Sequence, residues 1–242
     1  MTAASPPLPS RTTTLSDARI VEREEDGTVR PALVWAPGPG WRMLSSAVLG
    51  GGWGERQWVI NAQVRGGYRR MDADRHLADM ASGAGLRGPG VGLMTAASVR
   101  DFRHATEGGA EALVTAGVGV HGWAAAPGPA DVGPPVAGTI NTIAALPTIA
   151  ALPVPLSPAA YVNAVATATE AKVQALLDAG FDASGTPTDA VCVAAPAARD
   201  GQAEETFMGP RSPWGARLAR TVHAATYAAC LRERDERRAP VG

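Results

Sequence analysis

From Ala18 to Glu24 and from Thr28 to Trp35, apolar and polar positions follow one another in two strand-like runs. Asp26-Gly27 separates them, a dipeptide that accepts the positive φ of a tight turn, so the pattern predicts a hairpin. The loop APGPGW (residues 36–41) leads into the apolar stretch 43–49 and the run Gly50-Gly51-Gly52. Strand character returns over 57–64, 91–96 and 112–118, and an acidic first turn opens a helix expected over 72–81. Between Ala124 and Gly138, Pro, Gly and Ala crowd too closely for any regular element. Residues 139–146 resume strand character. The motif IAALP at 143–147 then recurs at 149–153, which reads as a local duplication lengthening a strand-to-helix connection.

The best-defined element is a helix from about Ser157 to Ala179. Ser157 can cap its first amides, Pro158 occupies the position that tolerates a missing N–H, and Gly180 marks its end. A short apolar strand over 189–195 follows, then a Gly/Pro-rich loop through Pro213, then a helix over about 214–233 whose RERDERR end reads as solvated. These elements predict an α/β or α+β fold: a single mixed-sheet domain with an N-terminal hairpin and two longer C-terminal helices. Residues 1–16 are expected to be a loose tail, 17–235 the domain and 236–242 a charged tail. The pattern leaves the strand order open.

Composition narrows the function class. A chain with 45% hydrophobic and 19% charged residues is no disordered protein, and a net charge of −1 lacks the footprint of a dedicated nucleic-acid binder. The longest apolar run, 143–156, is broken by Pro147, Pro153 and Pro155, so no membrane span is expected. No leader pattern precedes the first strand, and Cys192 and Cys230 offer no disulfide framework, so a cytoplasmic, reducing setting is expected. His76, His104, His121 and His223 lack metal-ligand spacing and no phosphate loop is present, so neither metal nor cofactor is expected.

Of the 22 basic residues only one, Lys172, is lysine. Arg cannot release its proton and Lys can, so a solitary Lys in an Arg-rich chain draws attention to its site. Projection of the long helix puts Tyr161, Val162, Val165, Ala168, Thr169, Val173 and Leu176 on one face, with Lys172 inside that stripe. An inward ammonium must snorkel to an edge, pair with a carboxylate, or sit in a cavity with a lowered pKa. Glu170 projects roughly opposite and shares no face with it.

Asparagine is also scarce, and Asn141 lies in a strand-like run where its amide needs a partner, either a polar ligand or an edge of the fold. Gly185-Thr186-Pro187-Thr188-Asp189 sets two hydroxyls and a carboxylate ahead of a strand; Asp189 can orient Lys172 or cap a turn. His121, after a glycine turn, is a lone candidate acid or base. Trp35, Trp41, Trp53 and Trp58 offer wide faces for a flat ligand, or simply core packing.

The run of motifs resembles the adenosylcobinamide amidohydrolase family of corrinoid salvage. The matching pieces are Trp41 with LSSA (44–47), VGLMTAA (91–97), TAGVG (115–119), GTIN (138–141), ATEAK (168–172) with Ala175-Leu176, Gly185-Thr186 with Thr188-Asp189-Ala190, and 209–215. The resemblance implies hydrolysis of the amide joining the corrin's propionyl arm to aminopropanol, giving adenosylcobyric acid, with a corrinoid as the small-molecule partner. Neither nucleic acid nor membrane is implied as a partner, and homo-oligomerisation is left open. A non-catalytic corrinoid-binding protein, or an amidase for a different corrinoid, is the alternative.

Amide hydrolysis needs a nucleophile, a proton donor for the leaving amine and donors for the oxyanion. Lys172, Glu170, Asp189 and Asn141 are the candidate catalytic residues. Trp41, Ser45, Ser46, Gly117, Gly119, Thr139, Thr186 and Thr188 are the candidate substrate contacts. The chain departs from the family pattern at Gly50 and Val120, where Asn is usual, and at Pro187, where Gly is usual.

Overall fold

The computed structural model describes residues 14–125, 148–186 and 188–238. The chain forms a mixed α/β fold in which two sheets pack face to face between helices. The smaller sheet contains β1 (Arg19–Glu25), β2 (Thr28–Trp35), β5 (Trp58–Gln63) and β6 (Gly90–Thr95), in that order. The larger sheet has the order β4 (Gly52–Glu55), β3 (Trp41–Ser45), β10 (Val191–Pro196), β9 (Thr148–Ala151), β8 (Ala110–Val114) and β7 (Arg103–Glu107). Helix α1 (Ala73–Gly83) joins the parallel pair β5 and β6, and α2 (Pro158–Asp178) joins the parallel pair β9 and β10. Helix α3 (Pro213–Arg238) packs beside α2.

Strand alternation sorts the core into three layers. Leu33, Trp35, Val59, Val91 and Leu93 of the smaller sheet meet Met43, Leu113, Cys192 and Ala194 of the larger one. Their neighbours Ala32, Val34, Ile60 and Ala62 turn the other way, onto Leu77 and Met80 of α1. On the far side Val191, Val193 and Ala195 face α2 and α3. Strand β10 is therefore covered on both faces, which is why its sequence VCVAAP is almost unbroken apolar. Each large side chain fully buried in these layers contributes roughly 1.5–3 kcal/mol.

The hairpin forms as expected, with Asp26 and Gly27 at φ 51° and 70°. Ser157 accepts a hydrogen bond from the Ala160 N–H at 3.2 Å and so caps α2. The buried face of α2, however, is turned about one residue from the projected stripe. Ala160, Ala164, Ala168, Ala171 and Ala175 are buried with Tyr161, Lys172 and Leu176, whereas Val162 and Thr169 are exposed and Val165 and Val173 only half-buried. The small alanine side chains admit α3 at close range, and a hydrophobicity count underrates them. The buried Tyr161 hydroxyl, donating to the Arg42 carbonyl at 2.8 Å, ties α2 to β3.

Other expectations change. The second IAALP copy supplies strand β9, because Ala150 and Ala151 pair with β8 and β10, while the first copy and residues 139–146 lie outside the described residues. The short strands β4 and β7 escape a pattern search because Gly and charged residues fill them. Leu15, at the end of the expected tail, is buried in a 3-10 turn, its N–H bonded to Glu111 Oε2 at 3.1 Å. Residues 236–238, assigned to the charged tail, continue α3, since no helix breaker occurs before Pro240. Trp35, Trp41 and Trp58 are buried; Trp35 and Trp41 meet edge to face at 5.0 Å, which leaves Trp53 as the exposed member of that group. No described helix is long and apolar enough to cross a membrane.

Candidate active site

One edge of the two sheets gathers the ends of β3, β5, β6 and β8 and the segment that enters β10. Lys172, on the second turn from the end of α2, is 5% exposed and its Nζ forms an ion pair with Asp189 Oδ2. Of the three fates open to an inward ammonium, pairing with a carboxylate is the one realised. Asp189 also accepts the backbone N–H of Thr186 at 3.1 Å and the Thr186 hydroxyl. Such a carboxylate is fixed by several donors at once, and it in turn fixes the ammonium.

Gly185 makes this geometry feasible. A Cβ there would stand 2.2 Å from Asp189 Oδ2 and 2.7 Å from Lys172 Nζ, closer than atoms pack. Gly185 is also paired with Gly122, whose N–H donates to the Gly185 carbonyl at 3.0 Å. The loop after β8 is thereby laid against the loop before β10. Trp123 Nε1 donates to Asp182 at 3.1 Å, which leaves its ring 45% exposed beside the site.

Two cavities share Asp189 as a wall. The larger, about 520 Å³, is lined by His121, Trp123, Thr169, Lys172, Thr186 and Asp189 among others. The smaller, about 320 Å³, is lined by Ser46, Tyr68, Leu93, Thr95, Thr188 and Asp189 among others. Lys172 borders the larger cavity and Asp189 both, so the ion pair stands at the wall the two cavities share.

His121 adds an imidazole of fixed orientation. Its Nδ1 lies 2.7 Å from the Val118 carbonyl oxygen, which only accepts, so Nδ1 donates there and Nε2 is the ring nitrogen not used by that bond. The ring packs edge-on against Phe181 at 5.2 Å. Among the described residues no group of three or more His, Cys, Asp or Glu could hold a metal ion.

The sequence candidates separate into those brought together and those left apart. Lys172, Asp189 and Thr186 form one cluster, and Ser46 and Thr188 line the adjoining cavity. Ser46 also accepts the Val191 N–H at 3.0 Å, and Ser45 is buried, its hydroxyl donating to the Val191 carbonyl at 2.9 Å, so Ser45 braces the strand junction. Glu170 is exposed on α2 and borders neither cavity, as a regular helix requires. Trp41 packs in the core; Gly117 and Gly119 lie in the turn leading to Val120, which itself lines the larger cavity. Asn141, Thr139 and Pro187 lie outside the described residues. Gly50 sits at φ 66° where a Cβ would meet the Gly90 carbonyl oxygen at 1.9 Å, so this backbone path leaves no room for a side chain.

The sequence gives no advance sign of Trp123 and Tyr68. Trp123 follows His121 and Gly122 after a glycine turn, a placement that offers a weak pointer only. Tyr68 sits in a polar loop with no periodic signal at all.

A sequence model of a family described as adenosylcobinamide amidohydrolase matches residues 14–238. An adenosylcobinamide amidohydrolase from Methanosarcina mazei is 32% identical over 149 residues, 62% of this chain and 67% of that protein. The matched span takes in both sheets, all three helices and every residue that frames the two cavities. On that footing the chain is a hydrolase acting on an amide and belongs to the adenosylcobinamide amidohydrolase family.

Proposed function

We propose that this protein hydrolyses the aminopropanol amide of adenosylcobinamide to give adenosylcobyric acid and free aminopropanol, a step in cobamide salvage. The observation that carries the reading is the buried Lys172–Asp189 pair standing at the wall shared by two cavities of unequal size. The open, larger cavity with its exposed Trp123 ring suits an edge of the corrin, and the smaller suits the short amine arm.

The residues divide the chemistry as follows. His121 Nε2 takes a proton from water, and the resulting hydroxide oxygen bonds to the amide carbon while the carbonyl π electrons move onto oxygen. The Lys172 ammonium, held by Asp189, donates a hydrogen bond to that oxyanion. Collapse breaks the C–N bond, the proton on His121 passes to the departing nitrogen, and the new acid's proton converts the amine to its ammonium form. Lys172 keeps its proton throughout, in accord with a carboxylate partner. Thr186 fixes Asp189, and Asn141 is a further oxyanion donor in this scheme. Two unpaired buried thiols, Cys192 and Cys230, suit a cytoplasmic setting.

Hydrolysis in water enriched in oxygen-18 tests the reading. One heavy oxygen is expected in the carboxyl group of the adenosylcobyric acid formed. Corrinoid recovered intact, with no free aminopropanol, would contradict it.

A further inference from the structure

The smaller cavity carries a polar chain that the hydrolysis above does not use. Tyr68, between β5 and α1, is 7% exposed and helps line that cavity. Its hydroxyl lies 2.8 Å from His76 Nδ1 on α1, and the two rings are parallel to within 1°. His76 Nε2 faces Glu25 Oε1 at 3.6 Å, and Glu25 Oε2 is bound by Arg23 at 2.7 Å. Arg23 is itself anchored on the Pro31 and Gln63 carbonyls at 3.0 and 2.6 Å.

This order sets the direction of every proton. A carboxylate facing Nε2 keeps the imidazole proton there, so Nδ1 is an acceptor and the Tyr68 hydroxyl donates to it. The phenol oxygen then has no proton left to give, and it offers lone pairs only. Burial pushes the Tyr68 pKa up and the His76 pKa down, so both stay neutral near pH 7 and the pattern holds. Ala47, Leu93 and Met94 supply apolar walls nearby, room for a short alkyl group.

We infer that the Tyr68–His76–Glu25 chain makes Tyr68 a fixed hydrogen-bond acceptor for the hydroxyl of the substrate's amine arm, so that the smaller cavity selects amides of amino alcohols over amides of plain alkylamines. The inference rests on the proposed hydrolysis, with the amine arm in the smaller cavity. A buried acceptor left without its donor rejects an analogue far more strongly than a missing methylene does. Tyr68 touches the substrate; His76 is a positioning residue acting through it.

Two measurements test this. The first compares kcat/KM for the aminopropanol amide and the propylamine amide of adenosylcobyric acid, in wild type and Tyr68→Phe. The wild type is expected to prefer the hydroxylated amide by about tenfold or more, and Tyr68→Phe to lose that preference because kcat/KM falls much further for the aminopropanol amide than for the propylamide. Equal losses on both amides, or an unchanged preference, would overturn the inference.

The second needs no turnover. The nitrogen-15 resonances of His76 are followed as free 1-amino-2-propanol or propylamine is added. A response to the amino alcohol alone, absent in Tyr68→Phe, supports the inference, and equal responses or none overturn it. Should the wild type cleave neither amide, the proposed hydrolysis fails while the resonance titration still decides the role of Tyr68.

Discussion

An ammonium and a carboxylate buried together stabilise little beyond what their desolvation costs, but removing either partner alone strands a charge. Lys172 and Asp189 are in that position, with side chains 7% and 12% exposed. Lys172→Met is expected to lower turnover by at least about 100-fold and to cost about 3–5 kcal/mol of stability, read by denaturant melts. The double variant Lys172→Met/Asp189→Leu should recover most of the stability and none of the turnover, which separates a folding role from a chemical one. Gly185→Ala keeps both charged groups but forces them apart. It is expected to reduce kcat by about 100-fold with a smaller change in melting temperature. At this scale the sequence is informative about Lys172, because a solitary lysine on an inward stripe must snorkel, pair or sit in a cavity, and it offers Asp189 as one carboxylate that could pair with it. It is uninformative about Gly185, whose necessity exists only once three segments converge on one point.

Elements are legible where local chemistry sets their ends. Ser157, Pro158 and Gly180 bracket α2 within a residue of the observed bounds, and Asp26-Gly27 dictates the first turn. Ser157→Ala should cost about 1 kcal/mol in a thermal or denaturant melt and leave kcat unchanged, since the cap lies at the opposite end of α2 from Lys172. Which face of α2 turns inward is harder to read, because its alanine seam is defined by the distance to α3. Ala164→Leu, small to large within that seam, is expected to destabilise by about 1–3 kcal/mol. Glycine-bearing β4 and charge-rich β7 owe their strand form to their neighbours β3 and β8, so no property of their own residues announces them.

At the scale of the molecule, the two sheets enclose an apolar layer, and the candidate site lies at one rim of the described residues. The order of strands follows from long-range pairings, such as β3 beside β10, that no local pattern encodes. The thiols report on that interior: burial pushes Cys192 and Cys230 up to about 12. Native protein at pH 8 is expected to be inert to a thiol reagent, with both cysteines reacting after unfolding, and prompt labelling of the native protein would contradict this.

Acid tests the other face of the smaller sheet. Burial, then the Arg70 charge, lowers the His76 pKa below its ordinary 6.5, so the unfolded chain binds a proton more readily than the native one. The stability this contributes is present above about pH 6.5 and lost as pH falls toward the lower native value; His76→Gln should flatten that part of the melting-temperature profile.

The measurement that bears most directly on the account is the release of aminopropanol from adenosylcobinamide by wild type and by Lys172→Met, compared at equal concentrations of folded protein. The account expects steady release by the wild type, with adenosylcobyric acid formed in equal amount, and almost none by the variant. Equal rates from the two proteins would remove the Lys172–Asp189 pair from the reaction.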